Sequence, residues 1–288
     1  MTPDDDVAAF EAQRSRLTRL AYRMLGSVAE AEDVVQDAWL RWTRAAGEVG
    51  DPAAWLVRTT SRLCLDRLRA DKARRDAYRG PWLPEPLIED LQVDPVERAE
   101  DVSVAFLLAL ERLSPLERAV FLLHDVFDED YGAVAQTLGR TEPAVRQLAA
   151  RARGHLRDAR PRFSVSEAEA ARLASAFLAA AAQGDTVALA DLLAEDAVLV
   201  SDGGGKRKAA LRPLVGVEDI LRLIEGLIWR EGGSAPWGDV RPARINGYPG
   251  VIVTRSDGVM TIAFQPDGAG RLAGVYMVRN PDKLAHVK

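Results

Sequence analysis

Cysteine is nearly absent from this 288-residue chain, Cys64 being the only one. No intrachain disulfide is possible, and a reducing compartment fits that usage. Histidine is scarce too, with three residues far apart. Together with one cysteine they cannot build the four-ligand cage of a structural zinc site. Neither a metal nor a cofactor is expected. No apolar run is long enough to span a bilayer. The N-terminal MTPDDDVAAF is acidic, where a signal peptide would be basic. A cytoplasmic protein without a membrane partner is the expectation. The composition, 48% hydrophobic and 28% charged, describes a soluble globular chain with room for two or three domains.

The chain also lacks a positive net charge. Its formal charge of −5 would not draw it onto nucleic acid through the overall field. The distribution is less uniform than the total. Residues 52–80 carry eight Arg or Lys against three Asp, and residues 140–162 carry seven Arg against Glu142 and Asp158. Between them, residues 85–101 carry seven carboxylates against Arg98. Two basic patches flanking an acidic segment can touch DNA twice, with affinity borrowed from a partner.

The second basic patch has a clear pattern. In TEPAVRQLAARARGHLR (141–157), Val145, Leu148, Ala149, Ala152 and Leu156 fall on one helical face. Thr141 is a suitable N-cap, its hydroxyl accepting a first-turn N–H, and Pro143 fits the first turn. Arg146, Arg153 and Arg157 lie on the opposite face with Gln147 and Arg151 beside them, a row with no carboxylate along its middle. Upstream, residues 130–138 read as a short helix with Tyr131, Val134, Ala135 and Leu138 inward, and Gly139 ends it. Helix, glycine turn, basic helix is the helix-turn-helix pattern. An ordinary helical hairpin with a solvated basic face is the alternative.

Towards the N-terminus, residues 5–25 read as a helix with Val7, Phe10, Leu17, Leu20, Ala21, Met24 and Leu25 as its apolar positions. A second helix repeats Ala31, Val34, Val35, Ala38, Trp39 and Trp42 at helical spacing and shows Glu32, Asp33, Gln36 and Asp37 on its other face. Early carboxylates complement the helix dipole, which accounts for Glu32 and Asp33 better than for Asp37. Asp51 and Pro52 start a third helix, running to about Tyr78, with Trp55, Leu56, Thr59, Leu63 and Leu68 inward.

AEAEDVVQDAWLRW with DPAAWLVRTTSRLCLDRLRADKARR resembles region 2 of bacterial RNA polymerase sigma factors of the extracytoplasmic-function class. LSPLERAVFLLHDVFDEDYGAVAQTLGRTEPAVRQLAARARGHLR resembles their region 4. The pair, in order and at about the right distance, is more specific than either motif alone. The resemblance implies a protein that binds core polymerase, through the β′ coiled coil and β, and reads promoter DNA. Glu32, Asp33, Gln36 and Asp37 match the helix that docks on β′. Arg58, Arg62 and Arg69 fall in the part that melts and reads the −10 element, Arg62 where many relatives have Asn. Helix 141–157 matches the −35 reader. Arg146 and Gln147 suit base edges, because Arg pairs with guanine and Gln with adenine. Arg151, Arg153 and Arg157 suit phosphates.

The expected division is a region 2 domain (1–77), a linker (78–96), a region 4 domain (97–162) and a C-terminal domain (163–288). The linker YRGPWLPEPLIEDLQVDPV holds too many prolines for a continuous helix. Trp82 and Leu83 are too apolar for a bare tether. In the last part, helices at 166–183, 185–193 and 217–229 precede strand-like runs separated by Asn246-Gly247, Asp257-Gly258 and Asp267-Gly268. Helices followed by a curved antiparallel sheet suggest an α+β cone. The order resembles the NTF2-like, SnoaL-like fold. The fold class expected is therefore multidomain, two all-α sigma domains plus that cone. The cone has no histidine before His286, and its acids lie mostly in turns or at helix starts, so no enzymatic activity is expected.

Three short segments, WLPEP (Trp82, Leu83, Pro84, Glu85, Pro86), DGGGK (Asp202, Gly203, Gly204, Gly205, Lys206) and NPDKL (Asn280, Pro281, Asp282, Lys283, Leu284), resemble signatures of the sigma subgroup with a C-terminal SnoaL-like extension. The glycine loop also allows an anion cradle, although it lacks P-loop spacing. The subgroup resemblance implies regulation in cis, without a separate anti-sigma protein. The three segments are expected to meet, with Trp82 as the main apolar contact and Lys206 and Lys283 paired to Glu85, Glu89 and Asp90. Whether the cone takes a small ligand is open. The competing readings are a one-component repressor or activator, which would bind DNA without polymerase, and a SnoaL-type enzyme fused to a DNA-binding module.

Overall fold

The computed structural model describes residues 3–89, 103–157, 165–230 and 238–287. The chain divides into two compact units: residues 1–77 with 105–160, and residues 78–104 with 161–288. The segment that begins at Tyr78 therefore belongs with the C-terminal half.

In the first unit, α1 (Pro3–Leu25), α2 (Val28–Ala45) and α3 (Pro52–Ala70) share a core. Phe10, Leu17, Leu20, Met24 and Leu25 are almost completely buried, as are Ala31, Val34, Ala38 and Trp42. Val7, a turn ahead of Phe10, lies outside that core and is 44% exposed. Trp39 and Trp55 are half-buried, Trp39 4.8 Å from Phe10 and Trp55 5.6 Å from Trp42 between ring centroids. Ser27 accepts from the Glu30 N–H and Asp51 from the Ala54 N–H, so both helices start where capping chemistry predicts. α3 stops at Ala70, short of the expected Tyr78. Asp71 interrupts it before α4 (Lys72–Asp76).

The same unit holds α5 (Val104–Leu110), α6 (Pro115–Phe121), a π-helical turn at Leu122–Val126, α7 (Tyr131–Leu138) and α8 (Glu142–Leu156). A capping box between Ser114 and Glu117 starts α6. Gly139, at φ +61, ends α7 in the left-handed conformation that glycine adopts without strain. The α8 face of Val145, Leu148, Ala149, Ala152 and Leu156 is buried as its periodicity predicts. Thr141 stands at the N-cap, but its hydroxyl makes no capping bond.

Polar contacts tie the two helical groups together. Arg118, with its side chain 4% exposed, donates to the Met24 carbonyl at 2.7 Å and pairs with Glu111 at 2.7 Å. Arg75 also pairs with Glu111 and donates to the Leu25 carbonyl at 2.7 Å. Arg16 reaches Glu129 at 2.6 Å. Burial works to raise the Glu111 carboxyl, but the Arg118 and Arg75 guanidiniums outweigh it and hold that carboxyl below its usual range.

In the second unit, α9 (Glu167–Gln183), α10 (Thr186–Leu192) and α11 (Val217–Arg230) pack on a seven-stranded sheet. Its strands are β1 (Ile88–Glu89), β2 (Leu193–Asp202), β3 (Leu214–Val215), β4 (Asp239–Ile245), β5 (Tyr248–Arg255), β6 (Gly258–Pro266) and β7 (Leu272–Val278), in the order β1-β4-β5-β6-β7-β2-β3. Phe177 of α9 meets Phe264 of β6 at 5.3 Å in the core. Asn246 and Gly247 both take positive φ and close the β4–β5 hairpin in two residues, as an Asn-Gly pair should. The sheet is mixed rather than antiparallel, because β2 pairs parallel with β7. It also contains a strand that its periodicity does not announce: β1 comes from the linker, with Ile88 opposite Ile245 and Glu89 opposite Arg244. The unit is α+β as expected, but its helices do not all come first: β1 precedes them, and β2 and β3 lie between α10 and α11.

Candidate nucleic-acid interface and linker site

On α2, Glu32, Asp33 and Gln36 are exposed and Asp37 half-buried, opposite the apolar face. Arg67 of α3 lies 3.4 Å from both Asp33 and Asp37. At that distance and exposure the pairs contribute little, so the carboxylates stay available. On α3, Arg58 is half-buried and Arg69 exposed, the latter paired with Asp66 at 3.1 Å. Arg62 is already engaged: its Nε donates to the Thr137 carbonyl of α7 at 3.1 Å.

The basic face of α8 is less lonely than its sequence implies. Arg146 pairs with Glu142 one turn back and lies 4.4 Å from the Tyr131 ring centroid. Arg151 meets Glu117 of α6 at 2.9 Å, and Arg153 meets Asp125 at 2.7 Å and the Tyr131 hydroxyl at 3.1 Å. Burial works to raise Glu117, but Ser114 and Arg151 keep its carboxyl below the usual range. Glu117 and Asp125 sit 34 and 28 residues upstream of their arginines, so helical spacing could not reveal them. Gln147 and Arg157 are exposed.

In the second unit the three signature segments converge on Asp202, which is 0% exposed at the end of β2. Its Oδ1 accepts from the Tyr78 hydroxyl at 2.6 Å and the Gly204 N–H at 2.9 Å. Its Oδ2 accepts from the Leu83 N–H at 2.9 Å and Lys283 Nζ at 2.7 Å. Lys283 also donates to the Leu83 carbonyl at 2.5 Å, and its ammonium stands 4.1 Å from the Trp82 ring centroid. Asn280 donates to the Tyr78 hydroxyl at 2.9 Å. Burial, then the bond to Asp202, pushes the Tyr78 phenol up, which keeps it a donor.

The glycines serve this convergence. Gly204 sits at φ +59, and a Cβ there would stand 2.3 Å from the Asn280 amide. Three N–H groups here turn inward: those of Lys206 and Arg207 donate to the Gly203 carbonyl, and that of Gly204 to Asp202.

Two expectations need correction. The lysines pair within the C-terminal half, Lys283 with Asp202 and exposed Lys206 with Asp282 at 2.6 Å. Glu89 bonds Arg244 at 3.0 Å, while Asp90 lies outside the described residues. The buried Asp202 needs a cation close at hand, and the short turn Pro281–Lys283 delivers one. Second, Leu83 rather than Trp82 is the apolar anchor: Leu83 is 0% exposed and Trp82 only half-buried. Pro84 and Pro86 are buried, and His286 bonds the Pro86 carbonyl at 2.8 Å. Asn246 exchanges hydrogen bonds with the Leu87 backbone, its Oδ1 accepting at 3.1 Å and its N–H donating at 2.9 Å, and with Tyr78 and His286 it completes a site whose sequence signal was confined to the three motifs.

Among the described residues no helix is long and apolar enough to cross a membrane, and no cluster of His, Cys, Asp or Glu could hold a metal ion.

Comparison with known proteins fits this geometry. Residues 9–74 match the Sigma-70 region 2 family and residues 103–156 the Sigma-70 region 4 family. The chain belongs to the extracytoplasmic-function RNA polymerase sigma factors, carrying the C-terminal α+β extension described above. Over 97% of its length it is 38% identical to the ECF RNA polymerase sigma factor SigJ of Mycobacterium tuberculosis, covering 93% of that protein. The crystal structure of that SigJ matches at a TM-score of 0.80 and 36% identity, with 97% of this chain and 98% of that one covered. A probable ECF sigma factor of the same organism, SigI, is 38% identical over 67% of this chain and 69% of its own. As in its family, the function is to bind core RNA polymerase and direct initiation at promoters.

Proposed function

We propose that this sigma factor is regulated in cis, its C-terminal domain gripping the linker and thereby setting how far its two DNA-reading regions can separate. The observation behind this is the buried Asp202, which takes hydrogen bonds from the linker backbone at Leu83 and from Lys283 together. With Tyr78 to Glu89 fixed on the C-terminal sheet, about twelve residues are withdrawn from the tether, on the order of 40 Å of extended reach. A promoter presents its −10 and −35 elements at a set spacing, so tether length bears directly on which promoters are read. No separate anti-sigma protein is needed in this scheme.

The functional division is a region 2 domain at 1–77, a linker at 78–96, a region 4 domain at 97–162 and the regulatory domain at 163–288. Glu32, Asp33, Gln36 and Asp37 dock on the polymerase. Arg58, Arg62 and Arg69 serve the −10 element. Because Arg62 is bonded to Thr137, reading the −10 element requires regions 2 and 4 to part. Arg146 and Gln147 meet base edges near the start of the recognition helix, and Arg151, Arg153 and Arg157 meet phosphate. The protein works in the cytoplasm and catalyses no reaction itself.

The experiment is run-off transcription with purified core polymerase and no other regulator. Promoter-specific transcripts are expected from the full chain, and fewer from Asp33→Ala/Asp37→Ala, which should bind core more weakly at unchanged thermal stability. DNA binding without polymerase, or unaltered core affinity in that variant, would count against the reading.

A further inference from the structure

A cavity of about 850 Å³ opens in the second unit, bounded by α11, the 206–210 segment and the ends of β5, β6 and β7. That volume is in the range of small-molecule sites. Its apolar lining comes from Leu223 and Leu227 of α11 and from Met260 and Met277 of the sheet. Methionine side chains adapt to the shape of an aliphatic guest.

The rim is strongly cationic. Among the described residues, Arg207, Lys208, Arg255 and Arg279 all line it, against a single carboxylate, Asp257. Asp257 is shared: Arg279 reaches it at 2.7 Å and Arg255 at 3.5 Å. Arg279 also donates to the Lys208 carbonyl at 2.7 Å, which fixes its guanidinium at the mouth. No carboxylate pairs with Arg207 or Lys208 among the described residues. Lys206 is occupied by Asp282. The cavity thus has a surplus of positive charge above an apolar floor.

That combination discriminates between guests. A neutral hydrophobe would cover the cations without pairing them, at a desolvation cost. A nucleobase would find no aromatic side chain to stack on among the described residues that line the cavity. A carboxylate on an aliphatic body satisfies both halves, because arginine forks match carboxylates. We propose that this cavity binds an amphipathic organic anion, a carboxylate carried on an aliphatic chain. Arg207, the first residue of the cationic wall, lies five residues after Asp202, so occupancy would reach the linker network through one short loop. That consequence rests on the cis-regulatory reading above, whereas the binding does not.

The test is titration calorimetry of the full chain with decanoate, decanol, decyltrimethylammonium and inorganic phosphate. Decanoate should bind saturably at one site, with decanol at least roughly tenfold weaker. Arg207→Gln/Lys208→Gln should weaken decanoate by roughly tenfold or more, and Met260→Trp should block it by filling the floor. Arg207→Gln/Lys208→Gln should keep the wild-type melting temperature without ligand, which separates lost binding from lost folding. Equal binding of decanol, or decanoate affinity unmoved by both variants, would overturn the proposal. Phosphate binding as tightly as decanoate would overturn the apolar half of it. Added decanoate should also alter run-off transcription by the wild type but not by Arg207→Gln/Lys208→Gln; decanoate binding with unaltered transcription would remove the coupling alone.

Discussion

Lys283 sets its ammonium 2.7 Å from Asp202 Oδ2 while donating to the Leu83 carbonyl, so one buried ion pair closes directly on the backbone of the linker. Removing one member of such a pair strands the other charge. Asp202→Asn or Lys283→Met alone should each cost about 3–5 kcal/mol, and the double variant should cost less than their sum. Denaturant unfolding of the four proteins checks this. A double variant as costly as the sum would show that the two charges act independently.

Leu83 and Trp82 are adjacent, yet their burial differs. Leu83→Ala should cost about 2–5 kcal/mol, as for a fully enclosed leucine. Trp82→Ala should cost less, since it removes a half-buried ring and a cation–π contact of about 0.5–2 kcal/mol. The same unfolding measurement would contradict this assignment by returning the reverse order.

Acid should loosen the first unit through Glu111. Its folded carboxyl titrates below the unfolded value of about 4.3. The stabilisation is complete above the unfolded value and disappears as pH falls through the lower, folded one. The stability gap between wild type and Glu111→Gln should therefore shrink on acidification below about pH 4.3. A gap that stayed constant down to the acid limit would mean that the Arg118 and Arg75 pairs add nothing.

Within α8, Arg146 and Arg157 should part company in a promoter-variant screen. Arg146→Ala should relax preference at one −35 position, with about 1–3 kcal/mol of discrimination lost. Arg157→Ala should weaken all sequences evenly and lower the salt slope by about one. Identical behaviour of the two would erase the division between base and phosphate contacts.

Much of this was legible in the chain. The α2 and α8 faces, the Gly139 break and the Asn246-Gly247 hairpin follow from periodicity and turn chemistry, which are local. What stayed hidden is non-local. Glu117 and Asp125 reach the α8 arginines only through tertiary packing. The Arg118–Glu111–Arg75 cluster has no sequence signature. Nothing in the local sequence marks Leu87-Ile88 as part of a sheet, and only the neighbouring edge of β4 turns residues 88–89 into a strand. Charge alone directs the lysines to the acidic linker, whereas burial of Asp202 decides where Lys283 goes.

The central claim is that the C-terminal domain sets the working length of the linker. Initiation by reconstituted polymerase should be measured on promoters that differ only in the distance between −10 and −35 elements, comparing wild type with Asp202→Asn/Lys283→Met. The account predicts a narrow optimum for the wild type and a broader one for the variant, at equal core-polymerase affinity. Superimposable spacing profiles would contradict it.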